Sequence, residues 1–160
     1  MSDVRIGQGW DVHRIAPGRP MILGGVPIPS DFGLEGHSDA DILSHAITDA
    51  LLGAAGLGDI GMHFPDTDPR WKGGDSLTFL RHARDLVSAN GYQIANVDST
   101  VILERPKLND HRAAIRGKLA ETLGLGADRV SVKFKTAERL GPVGEGLSAE
   151  AQAVVLLTRV

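Results

Sequence analysis

Two short spacings bring metal-binding side chains together in this chain. Asp11 and His13 stand two apart in a strand-like run, and Asp41 and His45 stand four apart in a helix-like one. Strand residues i and i+2 leave the same face, and so do helix residues i and i+4, so each pair can converge on one point. Two imidazoles and a carboxylate are a plausible ligand set for a divalent metal. With only three protein ligands, one position stays open to substrate or water, as in catalytic rather than structural sites. Asp11, His13 and His45 are the candidate ligands. Asp41 is a weaker fourth, because a carboxylate at a helix start is already favoured by the helix dipole. Asp49, one turn beyond His45, is placed to accept that ring's second N–H, the usual outer partner of a ligating histidine. On these residues alone, hydrolysis by metal-activated water is an obvious use of the site.

Further polar residues have a plain reading and a chemical one. Ser38 reads as the N-cap of the helix carrying His45, with Asp41 three residues later in a capping-box arrangement. Free N–H groups at such a helix start also suit a phosphate, and His37 beside them adds a donor. Asp59, Asp66 and Asp68 are turn formers taken singly. They lie, however, in an aperiodic stretch over residues 59–75, and a loop that long in a compact domain often does work. Ile60, Met62, Phe64 and Trp71 are its expected apolar anchors. Lys107, after Pro106, is by itself a surface lysine. Lys133 and Lys135 share the polar face of a strand that runs into Thr136-Ala137-Glu138, where a phosphate and a second cation could meet. The phosphate-binding loop, the dinucleotide glycine fingerprint, the metalloprotease His-Glu helix and the serine elbow do not occur.

The elements that must hold these residues follow from periodicity. Val4 to Asp11 reads as a strand, and Met21–Leu23 with Val26–Ile28 reads as a hairpin about Gly24-Gly25, its second arm confined to an edge by Pro27 and Pro29. From Ser38, an apolar stripe of Ile42, Leu43, Ala46, Ile47, Ala50 and Leu51 predicts a helix that stops at Gly56. A second helix opens at Asp75 or Ser76 and closes at Asn90-Gly91, and a third spans Asn109 to Leu123. Ile94 to Leu103 and Val130 to Lys135 are strands, Gly144-Glu145-Gly146 is a turn, and Ala151 to Thr158 is a final, more buried strand. This order predicts a two-layer α/β sandwich of the α+β kind, with helices on one face of a small mixed sheet. The other face then needs a cover, and self-association is the expected one.

Composition narrows the class. With 160 residues the chain suits one domain that buries roughly two-thirds of its unfolded surface. A net charge of −3 offers no footprint for nucleic acid or an anionic membrane, so an anionic substrate would need metal ions and local lysines. No cysteine is present, which removes disulfides and thiolate metal sites and fits a reducing compartment. No run approaches the roughly 20 apolar residues of a bilayer span, and no apolar signal core opens the chain, so a cytoplasmic location is the expectation.

Read in order, the runs RIGQGWDVH (5–13), GHSDAD (36–41) with His45, TDALLGAA (48–55), GDIG (58–61), FPDTD (64–68), NVDSTVI (96–102), RPK (105–107) and TAERLG (136–141) resemble one family over nearly the whole chain: the 2-C-methyl-D-erythritol 2,4-cyclodiphosphate synthases of the non-mevalonate isoprenoid pathway. The resemblance implies a lyase that converts 4-diphosphocytidyl-2-C-methyl-D-erythritol 2-phosphate to the cyclic diphosphate with release of CMP. It also implies a homotrimer with active sites between subunits. Carried onto this chain, Asp11, His13 and His45 hold Zn²⁺, and Glu138 holds Mg²⁺ or Mn²⁺. His37 and Thr136 stabilise the transition state, and His37 and Ser38 contact phosphate. Asp59, Ile60 and Gly61 hold the methylerythritol portion, and the loop Phe64, Pro65, Asp66, Thr67 and Asp68 closes that side. Leu103, Lys107, Leu108 and Asn109, with Lys135, Thr136 and Ala137, lie where the family binds the cytidine nucleotide. Association with the pathway's cytidylyltransferase is a further implied partnership. The family's L-G-F-T-G-R-x-E-G run is replaced here by Leu140-Gly-Pro142-Val143-Gly-Glu-Gly146, without the aromatic and arginine that line an axial isoprenoid-diphosphate cavity. Two other readings stand beside the cyclising one: a zinc phosphoesterase, and a trimeric module that binds isoprenoid diphosphates or partner synthases.

Overall fold

The computed structural model describes residues 3–160. Five strands form a mixed sheet in the order β4 (Phe32–Leu34), β1 (Val4–Pro17), β7 (Ser148–Arg159), β5 (Tyr92–Ile102) and β6 (Val130–Lys135). All neighbours are antiparallel except β5 and β6, whose parallel pairing needs a crossover, supplied by α4 (Arg112–Leu123). The helices α1 (Ile42–Ala55), α3 (Ser76–Ala89) and α4 cover one face, so the predicted two-layer architecture is present. No helix of the described residues is long and apolar enough to cross a membrane.

β1 is the strand that matters most, and its two faces differ sharply. Its odd residues Gly7, Gly9, Asp11 and His13 face α1, while Val4, Ile6, Trp10 and Val12 are exposed on the opposite face. The glycines let the helix lie directly on the strand backbone. A Cβ on Gly9 would stand 2.8 Å from the Ala46 carbonyl carbon and 2.9 Å from the Ala50 nitrogen, and one on Gly7 would stand 2.6 Å from the Ala54 nitrogen. Alanines at 46, 50 and 54, each a full turn apart, form the matching smooth ridge on α1. This helix is buried along nearly its whole circumference, as its apolar composition requires.

The β2 (Met21–Leu23) and β3 (Val26–Ile28) hairpin forms as expected, with both turn glycines at positive φ. Its turn N–H groups at Gly24 and Gly25 donate to the Asp41 carboxylate at 2.9 and 2.7 Å. The same carboxylate accepts from the Ser44 backbone N–H at 3.0 Å and from its hydroxyl at 2.8 Å. Asp41 is thus the N-cap of α1, and Ser38, expected in that role, is not: its hydroxyl accepts from Ala40 N instead. The reason is burial. Ile42 and Leu43 are fully enclosed, so orphan N–H groups there need a partner inside the protein, and a carboxylate with four donors supplies it. Burial pushes the Asp41 carboxyl up in pKa against the pull of those donors.

Three other expectations change in detail. The stretch over 59–75 carries a short helix, α2 (Ile60–His63), and a 3-10 turn at Pro69–Trp71, each capped by an aspartate, Asp59 or Asp68. Met62, expected to anchor this stretch, is 71% exposed. Residues before the last strand form a single helical turn, α5 (Gly141–Gly144), with Val143 buried. The last strand starts at Ser148 and alternates rather than being buried throughout, with Gln152 and Val154 exposed, because the sheet's outer face is uncovered in the single chain.

Replacing Gly9 with alanine should cost about 3 kcal/mol or more, beyond the usual range for overpacking, because rigid helix backbone rather than a side chain is in the way. Chemical denaturation of the variant checks this; an unchanged midpoint would mean that α1 can retreat from β1 freely.

Candidate metal centre

Asp11, His13 and His45 come together where β1 passes the first turn of α1, and each can offer one ligand atom within 4.8 Å of the others. Asp11 Oδ2 lies at the middle of the cluster, 3.0 Å from His13 Nε2 and 3.0 Å from His45 Nδ1. Burial pushes the Asp11 pKa up, but hydrogen bonds from the two imidazoles and their positive potential outweigh it and hold the carboxyl at about 2. For His13 burial works downward and is outweighed by the same carboxylate, with help from the Glu35 carbonyl, so its pKa is raised. The set is a converging carboxylate and two imidazole nitrogens with no thiolate. That donor chemistry fits Zn²⁺.

Each ring is oriented by a group outside the cluster. His13 Nδ1 meets the Glu35 carbonyl oxygen. His45 Nε2 meets Ser76 Oγ at 2.7 Å and, more weakly, Ser38 Oγ at 3.2 Å. Asp49 does not take that position, contrary to expectation. Its carboxylate accepts from the Ile60 backbone N–H at 2.7 Å, which ties the start of α2 to α1. Its pKa is raised by burial and by the nearby Asp59 and Asp11 carboxylates.

The centre opens on a cleft of about 450 Å³ lined by His13, His37, Ser38, His45, Ile60, Gly61, Phe64, Pro65, Asp66, Thr67, Trp71 and Phe79. Phe64 stacks on Phe79 at 4.4 Å between centroids and meets Trp71 edge-on at 5.1 Å, giving this wall an aromatic footing. His37 and Ser38 reach the cleft from the loop before α1. At the helix end the Asp41 carboxylate takes the Ser44 N–H, so that donor is not offered to a phosphate. Asp59 and Asp68 cap their helical turns, and Asp68 also pairs with Arg70 at 2.6 Å.

A second cleft of about 220 Å³ gathers Leu103, Glu104, Pro106, Lys107, Leu108, Asn109, Phe134, Lys135 and Thr136. Lys133 is not free to join it, being paired with Asp98 at 2.6 Å. At its rim, Glu138 and Arg139 adopt positive φ (53° and 62°), a costly conformation for residues with a Cβ. The Glu104 carboxylate holds this bend by accepting from Ala137 N at 2.7 Å and Arg139 N at 3.5 Å, and Thr136 Oγ1 reaches Glu138 Oε1 at 3.2 Å. Glu104, Ser76 and Asp39 are working residues that spacing could not single out, since each acts on a partner more than 30 residues away.

Known proteins resemble this chain over nearly its whole length. The family model described as the YgbB family matches residues 4–158. The chain belongs to that family. It is 74% identical to the 2-C-methyl-D-erythritol 2,4-cyclodiphosphate synthase of Solibacter usitatus, covering 99% of this chain and 100% of that one. It is 60% identical to a bifunctional enzyme, IspD/IspF, of Albidiferax ferrireducens over 97% of this chain and 37% of that one. Among solved structures, the bifunctional IspDF of Campylobacter jejuni superposes with a TM-score of 0.96 at 41% identity, over 100% of this chain and 43% of that one. A CDP-bound 2C-methyl-D-erythritol-2,4-cyclodiphosphate synthase gives 0.89 at 49% identity, over 96% and 99%. Membership makes this YgbB chain an enzyme, a cyclodiphosphate synthase of isoprenoid biosynthesis.

His45→Ala should remove zinc from the purified protein while leaving secondary structure in place, because the ring is a partly buried member of the cluster and not a core filler. Metal analysis alongside circular dichroism checks this; zinc content equal to wild type would mean that the three residues are not the ligands.

Proposed function

We propose that the chain converts 4-diphosphocytidyl-2-C-methyl-D-erythritol 2-phosphate to 2-C-methyl-D-erythritol 2,4-cyclodiphosphate and CMP. The observation that carries this reading is the Asp11, His13 and His45 cluster at the mouth of a cleft walled by residues 60–67, in a chain 74% identical to a named synthase. An oxygen of the substrate's 2-phosphate forms a bond to its β-phosphorus. The bond from that phosphorus to the oxygen bridging to CMP breaks, and CMP leaves with the electron pair. No protein nucleophile is required.

The residues have separate tasks in this scheme. Asp11, His13 and His45 would hold Zn²⁺, and Glu138 would hold Mg²⁺ or Mn²⁺. Such cations, when bound, neutralise phosphate charge that would otherwise repel the attacking oxygen. His37 and Ser38 bind a phosphate from the cleft's loop side, and Asp59, Ile60 and Gly61 hold the methylerythritol portion. The Phe64–Asp68 segment excludes water, which matters because water would compete with the internal phosphate. Lys107 and Lys135 neutralise the departing nucleotide, Leu103, Leu108, Asn109 and Ala137 shape its seat, and His37 and Thr136 stabilise the transition state. Folding a flexible substrate into a ring-closing pose is the main contribution, worth roughly 7–11 kcal/mol in the best intramolecular cases.

The metal cluster lies on β1 and the second cleft at the ends of β5 and β6, and β1 and β6 are three strand spacings apart, about 14 Å. A homotrimer in which one subunit's nucleotide cleft faces its neighbour's metal centre would unite them. The uncovered β1 and β7 face supports such packing, with Ile6 70%, Trp10 49% and Val154 47% exposed. The bifunctional relatives support association with a cytidylyltransferase. A cytoplasmic location and a single domain over 1–160 complete the reading.

Incubation with the diphosphocytidyl substrate, Zn²⁺ and Mg²⁺ should yield a cyclic diphosphate by phosphorus NMR, with equimolar CMP and no oxygen taken from labelled water. A linear phosphate carrying the label would mean hydrolysis and would overturn the proposal. Glu104→Ala should lower kcat/KM at least about tenfold, the loss of one hydrogen bond to a charged group; steady-state kinetics equal to wild type would show that the bend at Glu138 does not need its clamp.

A further inference from the structure

We infer that Asp39 and Ser76 form a relay that fixes the tautomer and orientation of His45, and so set the strength of the metal centre. This rests on the reading of Asp11, His13 and His45 as metal ligands. A ligating imidazole presents one nitrogen's lone pair to the metal and carries its proton on the other. In His45, Nδ1 points into the cluster, 3.0 Å from Asp11 Oδ2, so a metal held there would take the Nδ1 lone pair and leave the ring proton on Nε2. The acceptor it meets is the fully buried Ser76 hydroxyl, at 2.7 Å.

A serine hydroxyl can donate or accept, so by itself it would not choose a tautomer. Asp39 makes the choice. Its Oδ1 takes the Ser76 hydroxyl proton, and its Oδ2 takes the Ser76 backbone N–H at 3.0 Å. With its one proton committed to a carboxylate, Ser76 Oγ can only accept from His45 Nε2. The Nδ1 lone pair is thereby left for the metal. Asp39 is itself anchored to the segment before α3, its backbone N–H donating to the Gly74 carbonyl at 3.1 Å, while Gly73 N donates to His37 O at 2.8 Å. Ser38 Oγ, the other neighbour of Nε2, is farther at 3.2 Å, and nothing commits its proton.

Zinc affinity measured by chelator competition, with the His45 ring nitrogens read from nitrogen NMR of the zinc-bound protein, tests the relay. Ser76→Ala should weaken zinc binding about 10- to 100-fold, the usual cost of losing an outer partner of a ligating histidine. Ser38→Ala should weaken it less. Asp39→Ala frees the Ser76 proton, so zinc binding should weaken and the His45 Nε2 signal of the zinc-bound protein should shift as its hydrogen bond to Ser76 loosens, a change that simple loss of packing does not produce. Unaltered zinc affinity in Ser76→Ala, or an unaltered His45 Nε2 signal in zinc-bound Asp39→Ala, would overturn the relay even if thermal stability fell. Should wild type hold no zinc, or His45→Ala retain it, the underlying ligand assignment fails instead.

Discussion

Everything in the metal centre depends on how closely α1 can lie on β1. Gly7 and Gly9 leave the strand bare where Ala46, Ala50 and Ala54 press against it, so backbone meets backbone with no side chain between. One more pleat along the same strand face come Asp11 and His13, and on the helix beside Ala46 comes His45. The contact that packs the core therefore also sets the distance between the candidate ligands. A helix held off by even one methyl group would carry His45 away from Asp11.

Charge is managed as tightly as shape. A half-buried carboxylate between two imidazoles is costly to isolate, and the structure keeps Asp11 ionised by giving both of its neighbours to it. The outward nitrogens are then satisfied by groups from different parts of the chain, a backbone carbonyl at Glu35 for His13 and the Ser76 hydroxyl for His45. Asp41 and Asp49, which spacing had offered to the same centre, are used instead to tie the hairpin turn and the cleft wall to α1. Three aspartates within reach of one helix thus divide between the cluster and scaffolding according to which donors lie nearest.

The single chain is asymmetric in a way that matches its proposed assembly. One face of the sheet is covered by three helices, while the other exposes Ile6, Trp10 and Val154. That exposed apolar surface lies over β1 and β7, whereas the β5–β6 side is polar and bridged by Asp98 and Lys133. Burial of the first area against copies of itself would leave the second, with its lysine-lined cleft, at the edge of a neighbour.

Much of this was legible in the residues alone. Period-2 and period-3.6 patterns, the Gly24-Gly25 turn and the terminal glycines Gly56 and Gly124 specify local structure, because each rests on interactions within a few residues. The spacings of Asp11 with His13 and the position of His45 on α1 likewise point the three candidate ligands to one place, since side-chain direction follows from secondary structure. What only the tertiary structure decided is which polar group serves which. Asp41 rather than Ser38 caps α1, because the helix end is buried and needs a carboxylate shared with the distant Gly24 and Gly25. Ser76 rather than Asp49 orients His45, because the loop over residues 60–67 claims Asp49 first. Hydrogen bonds between segments far apart in sequence are settled by packing, and no local spacing encodes them.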